Sequence, residues 1–349
     1  MDIHQLDTPV AFVDLDRLEA NIARLQRYLD EHGIANRPHI KTHKIPEIAQ
    51  MQMNAGAVGI TCQKIGEAEV MADAGLRDIF IPYNIVGEPK LKRLMRLARR
   101  VRLSVTADSA FTVRGLSAAA WREGIELPVL VEFDTGLGRC GVQSPQEAAD
   151  LARLIIRSPG LQFGGLMTFP CNENTDPFVR QTRALLESEG IVVERVSGGG
   201  SPKMWQAHTH AEITEYRAGM YAYGDRKILQ SGAMGLEDCA FKVITTVVSR
   251  PTVDRGILDG GSKTFSSDTV GLEGYGLILE YPEARFYALS EEHGNVDFSQ
   301  CSRKPEIGER VTVIPNHCCV VSNLFDQVIG VRREQIEVIW SVAARGRLQ

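Results

Sequence analysis

The chain has 349 residues, of which 44% are hydrophobic and 24% charged, and a formal net charge of -5. That length exceeds one average domain and predicts a large barrel or a pair of domains, while an ordinary, mildly acidic composition gives no electrostatic ground for nucleic acid or an anionic membrane as partner. Seven scattered cysteines suit a reducing compartment rather than a disulfide framework; with no basic leader and no apolar run of roughly 18 residues, the sequence predicts a cytoplasmic protein that handles a small molecule.

The opening "TPVAFVDL" reads as a strand and leads into a first helix, "DRLEANIARLQRYLDEHG". From about residue 35 a unit repeats: a short β-branched run, a longer amphipathic stretch and a Gly-containing turn. The strand candidates are "HIKT", "AVGITC", "DIFIPY", "VRLSVTA", "LPVLVEF", "LQFGGLMTF", "VERVSGG" and "EITEYRAG". Eight strands alternating with helices predict an α/β fold, a (β/α)8 TIM-type barrel with its functional groups at the C-terminal ends of the strands. After about residue 230 the texture changes to strands without intervening helices, among them "FKVITTVVSRP", "GILDGGS", "ERVTVIPNH" and "IEVIWSVAARG", which predict a C-terminal all-β domain. The division is then residues 1–24 for the N-terminal strand, which joins the β domain, and the start of the first helix, 25–229 for the barrel, and 230–349 for the β domain.

Five segments could carry chemistry. In "RPHIKTHK", Lys41 ends the first predicted barrel strand, where it either reaches to the rim or serves as a Schiff-base lysine, since burial penalises its charged form. "EFDTGLGRCG" ends the fifth strand with Arg139, whose fork could donate to a phenolate or carboxylate or pair with Asp134. "SGGGSP" could turn the amides of Gly199 and Gly200 and the Ser201 hydroxyl toward a phosphate, or be an ordinary tight turn; Gly219, Met220 and Tyr221 of "RAGMY" could complete the cradle. In "IPNHCCVVSN", His317 and Cys319 stand two residues apart, on one face of an extended segment, and would suit a borderline-soft cation; a core histidine beside small hydrophobic cysteines is the other reading.

Taken in chain order, "TPVAFVDLDRLEANI", "RPHIKTHK", "EFDTGLGRCGV", "VSGGGSP", "YRAGMY", "LDGGSKTFSSD", "LSEEHG" and "VIPNHCCVVSNLFD" resemble the fold-type III pyridoxal-phosphate enzymes, the alanine-racemase-like barrel with a β domain. Within them the chain is similar to the D-threonine aldolase and D-serine dehydratase branch. The resemblance implies that Lys41 holds pyridoxal 5'-phosphate covalently and that Arg139 contacts its phenolic oxygen. It also implies that Gly199, Gly200, Ser201, Gly219, Met220 and Tyr221 hold the phosphate. Thr168 is added at the end of the sixth strand, in a segment, "MTFPCNENTDPF", that departs from the pattern of some relatives and leaves the group facing the pyridine nitrogen open. His317 and Cys319 become a divalent-metal pair, zinc first, with Mn or Mg as the other candidates, and His317 joins Lys41 as a catalytic residue.

The implied activity is a metal-assisted lyase acting on a small D-3-hydroxy amino acid, in a homodimer. Retro-aldol cleavage would give glycine and an aldehyde; β-elimination, as in D-serine dehydratase, would give a 2-oxo acid and ammonia. An amino-acid racemase, which needs no metal, is a third outcome on the same cofactor.

Overall fold

A computed structural model describes residues 2–349. The chain divides into two compact units, one formed by Met1–Ala23, Thr42–Glu47 and Met220–Gly346, the other by Arg24–Lys41, Ile48–Gly219 and Arg347–Gln349. Strand β1 (Val10–Asp14) opens the first unit, and helix α1 (Leu15–Glu31) carries the chain into the second. α1 buries Leu18, Ile22, Leu25 and Leu29, a stripe at the spacing of one helical face.

The second unit is the barrel. Its parallel strands are β2 (Ala35–Asn36), β3 (Ile60–Thr61), β4 (Asp78–Asn84), β5 (Arg102–Ala107), β6 (Leu127–Phe133), β7 (Leu161–Thr168), β8 (Val196–Gly199) and β9 (Glu215–Arg217), in the order β2-β9-β8-β7-β6-β5-β4-β3. A parallel bridge between His39 and Thr61 links the two ends of that order. The connecting helices are α2 (Pro46–Asn54), α3 (Ile65–Asp73), α4 (Glu88–Ala98), α5 (Ala110–Glu123), α6 (Pro145–Arg157) and α7 (Thr175–Glu187). Ser109 and Ser144 cap α5 and α6 by accepting the amides of Thr112 and Glu147 at 3.3 and 3.2 Å. The expected strand "HIKT" is instead a single turn of 3-10 helix, Ile40–Thr42. Pro38 brings no amide to the ladder, and the Lys41 amide turns back onto His39 Nδ1 at 3.4 Å.

The first unit is a nine-stranded sheet completed by β10 (Phe241–Ser249), β11 (Arg255–Leu258), β12 (Gly276–Ile278), β13 (Arg285–Leu289), β14 (Gly294–Asp297), β15 (Arg310–Pro315), β16 (Gln327–Arg332) and β17 (Gln335–Ser341). β1 lies between β10, antiparallel, and β16, parallel, and Phe12 packs with Ile3, Ile244, Ile329 and Val331. Among the described residues no helix is long and apolar enough to cross a membrane.

Candidate active site

Side-chain alternation fixes what the barrel encloses. Phe133 stacks on Phe178 of α7, with ring centroids 4.3 Å apart, so it faces the helices; Leu130 and Glu132, on the opposite face of β6, point inward. Leu130 packs with Phe80 and Met167 in the middle of the barrel. Toward the N-terminal ends of the strands the interior is charged rather than aliphatic: Glu215 binds Arg37 at 2.7 Å and Arg195 at 2.8 Å and accepts from Ser197 at 2.5 Å, while Arg37 also reaches Asp78. Burial alone would raise the Glu215 carboxyl, but the two guanidinium groups hold it at about 2. Arg195 and Arg217 both lie over the Phe80 ring, at 4.6 and 5.6 Å.

At the C-terminal mouth, Lys41 and Arg139 share one aromatic ring. Lys41 Nζ lies 5.9 Å and the Arg139 guanidinium 5.1 Å from the centroid of Phe169. Asp134 does not pair with Arg139; its carboxylate accepts the amides of Gly136, Leu137 and Gly138 at 2.9–3.0 Å and so ties down the loop that carries the arginine.

Beside Phe169 runs the glycine segment after β8. Gly200 has φ +128°, a conformation L side chains rarely adopt, and a Cβ built there would meet only Pro170 and Tyr216, at 3.7 and 3.8 Å, so the space is open. A Cβ at Gly198 would collide with the Cys171 sulfur. The Gly219 amide donates to Ser201 Oγ at 3.1 Å, which brings the two glycine segments together. This backbone concavity could hold an anion such as a phosphate. Met220 and Tyr221, the next residues in the chain, group with the other unit. Thr168 is fully buried; its hydroxyl donates to the Phe133 carbonyl at 2.9 Å and its own carbonyl accepts Arg217 Nη2 at 3.0 Å.

Sequence reasoning missed Arg217 and Glu132. Arg217 also donates to Ser197 Oγ at 2.6 Å, and burial lowers it to about 10 against the pull of Glu215. No single local pattern marks either residue, because their partners lie on other strands.

In the first unit, His317 and Cys319 meet through a hydrogen bond, although not on an extended segment: β15 ends at Pro315, and His317 is the N-cap of a short helix, Cys318–Ser322. His317 Nδ1 lies 3.1 Å from Asp268 Oδ2, which leaves Nε2 as the remaining ring nitrogen. Burial pulls the His317 imidazole down, but its bonds to Cys319 and Asp268 and the charges of Cys319 and Asp225 outweigh that and raise it to about 9. Asp225 fixes the turn by accepting the Cys318 and Ile228 amides at 3.0 and 2.9 Å. Thr42, which follows Lys41 in the chain, has its hydroxyl 3.3 Å from Cys319 Sγ. Among the described residues no group of three or more His, Cys, Asp and Glu side chains is arranged to hold a metal ion; the pair offers two donors, which leaves other positions to water or substrate.

A family model described as the alanine racemase N-terminal domain matches residues 13–227, and a serine dehydratase domain model matches residues 240–331. The chain is 35% identical over 359 residues to a D-threonine aldolase of Arthrobacter sp., covering 98% of this chain and 93% of that one. Among solved structures it is similar to a D-threonine aldolase from Filomicrobium marinum, with a TM-score of 0.92 and 32% identity over 100% of this chain and 98% of the other. It is also similar to D-threo-3-hydroxyaspartate dehydratase from Delftia sp. HT23, with a TM-score of 0.85 and 28% identity over 97% and 98%. Variants of a dehydratase of that name carry alanine at a histidine and at a cysteine two positions further on, the latter in a metal-free form.

Proposed function

The chain belongs to the fold-type III pyridoxal-phosphate enzymes, in the D-threonine aldolase and D-serine dehydratase branch, and on that premise we propose that it cleaves the Cα–Cβ bond of D-threonine-like substrates to give glycine and an aldehyde. It is a pyridoxal-phosphate-dependent lyase of D-3-hydroxy amino acids. What carries the finer reading is a barrel mouth with an amine, a guanidinium and a glycine concavity around Phe169, in a chain that matches an aldolase over its whole length. Those residues fit the cofactor: an amine for its carbonyl, a cation for its phenolic oxygen and backbone amides for its phosphate.

Bound pyridoxal phosphate would supply an electron sink at the substrate's α carbon, and a divalent metal would supply the acidity that a 3-hydroxyl lacks at neutral pH. Lys41 would hold the cofactor through its amine and, as a free amine during turnover, would be placed to take or return a proton at the substrate's Cα. Arg139 donates to the phenolic oxygen. Gly199, Gly200, Ser201 and Gly219 would receive the phosphate. His317 and Cys319 hold the metal, zinc first because a thiolate is soft, with Mn or Mg as the other candidates; the metal-free cysteine variant of the dehydratase supports that assignment. A homodimer is the proposed unit, to be checked by sedimentation of the holoenzyme.

One observation favours β-elimination as the second reading: Cys319 is a thiol two residues after a histidine, the spacing of the substituted pair in the dehydratase. Incubation with D-threonine and D-serine, with and without chelator, separates the two. Glycine with acetaldehyde, lost on chelation, is the expected result. Pyruvate from D-serine with no glycine from D-threonine would overturn the aldolase reading. Lys41→Ala is expected to lose the visible absorbance of covalently held cofactor and to slow turnover by roughly 10²–10⁴-fold.

A further inference from the structure

We propose that Cys318 and Cys319 form a vicinal dithiol that a hydroperoxide oxidises to a disulfide, a modification site that takes Cys319 out of its pairing with His317. The two cysteines are adjacent in the chain and are both free thiols, at the start of the helix Cys318–Ser322. Their exposures differ: Cys318 is fully buried, whereas Cys319 is half-buried and open to a small oxidant. Each also has neighbours suited to its part. Cys319 bonds to His317, and its sulfur lies 3.3 Å from the Thr42 hydroxyl oxygen. The Cys318 thiol donates to Asp225, and its sulfur is within hydrogen-bond reach of the Cys319 sulfur. The Asp225 carboxylate is itself held by the Cys318 and Ile228 amides. The activity proposed above uses Cys319 and gives the buried thiol no part. The other cysteines, Cys62, Cys140, Cys171, Cys239 and Cys301, stand singly in the chain.

The half-buried thiol meets the oxidant first. The Cys319 sulfur attacks one oxygen of hydrogen peroxide; the O–O bond breaks, and the thiol proton leaves with the other oxygen as water. Cys319 then carries a sulfenic acid. The Cys318 sulfur attacks the Cys319 sulfur, its proton passes by way of Asp225 to the departing hydroxyl, and a second water leaves as the S–S bond forms. The dithiol has lost two electrons, and the peroxide has gained them. Adjacent Cα atoms stand about 3.8 Å apart, short of the roughly 4.4–6.8 Å usual across a disulfide. Such a bond is open to reduction by a small thiol, so the modification is reversible.

Loss of metal on oxidation rests on the reading of His317 and Cys319 as the metal pair; the disulfide itself does not. Full-length protein, zinc-loaded or metal-free, is treated with hydrogen peroxide while a chromogenic chelator follows released zinc. Remaining thiols are then alkylated, and the tryptic peptide of residues 311–332, whose only cysteines are these two, is read by mass spectrometry. The wild-type peptide is expected to escape alkylation and to weigh two hydrogens less than the reduced form, with zinc released in step and both changes reversed by dithiothreitol and fresh zinc. Cys318→Ala, without the second thiol, is expected to gain two or three oxygens that dithiothreitol does not remove. A wild-type peptide that gains oxygens instead, that joins another cysteine's peptide, or that is left unchanged in the metal-free protein would overturn the inference. Should Cys318→Ala not fold, the wild-type peptide decides alone. A protein that forms the disulfide yet keeps its zinc, or holds none beforehand, would instead remove the reading of the metal pair.

Discussion

Two buried carboxyl groups inside the barrel titrate at opposite ends of the range, and each has a consequence for stability. Glu215 sits at about 2 in the folded chain, below its unfolded value, so its contribution is fully present above the unfolded pKa and is lost as pH falls toward 2. Glu215→Gln leaves Arg37 and Arg195 buried without their anion; it is expected to cost about 3–5 kcal/mol at neutral pH and to flatten the acid limb of a denaturation profile. Glu132 behaves in the opposite sense. Its folded value of about 7 lies above the unfolded one, so the folded chain holds a proton that the unfolded chain has released, and stability falls as pH rises between the two values. Apo Glu132→Gln is expected to be more stable than wild type by roughly 1–3 kcal/mol at pH 8, and nearly equal to it at pH 5, as chemical denaturation would read out. Neither residue was legible in the sequence. Lys41, Arg139 and His317 stand in dense local patterns, whereas Glu132, Arg217, Asp225 and Asp268 gain their meaning from partners tens of residues away.

At the scale of elements, the segment after β8 depends most on the absence of side chains. Gly200→Ala forces an L residue to φ +128°, which costs about 1–3 kcal/mol, and it fills the concavity assigned to the phosphate. Cofactor affinity measured by equilibrium dialysis is expected to fall by at least as much as the apoprotein's stability, and an alanine variant that binds the cofactor as tightly as wild type would remove that assignment. Local period readily gave the longer strands and most helices, because burial repeats every two residues in one and every 3.6 in the other. It failed where elements are too short to show a period. "HIKT" is a 3-10 turn in which the Lys41 amide meets the His39 side chain rather than a neighbouring strand. The His-x-Cys segment is a helix start that still joins its two side chains. β14, "GNVD", escaped notice because glycine, asparagine and aspartate are depleted in strands, and it is held by register with β11 and β13 instead.

At the scale of the whole molecule, eight strands with helices between most of them made the barrel legible, and the loss of helices after about residue 230 announced the change to a sheet. What sequence could not convey is how the chain is shared between the two units: Thr42–Glu47 leaves the barrel's unit for the sheet's and returns, and Arg347–Gln349 rejoins the barrel's unit at the end. Those crossings depend on contacts between distant segments. One feature of the barrel bears on heat as well as on chemistry. Its lower interior is filled by Asp78, Arg37, Glu215, Arg195 and Ser197 where aliphatic layers are usual. Exposing apolar surface raises the heat capacity of unfolding and exposing polar surface lowers it, so this barrel gains a flatter curve of stability against temperature than an aliphatic one of equal buried area. Because the hydration of charged groups becomes less favourable on warming, the ion-paired layer also gives up proportionately less of its support in a hot cell than in a cold one.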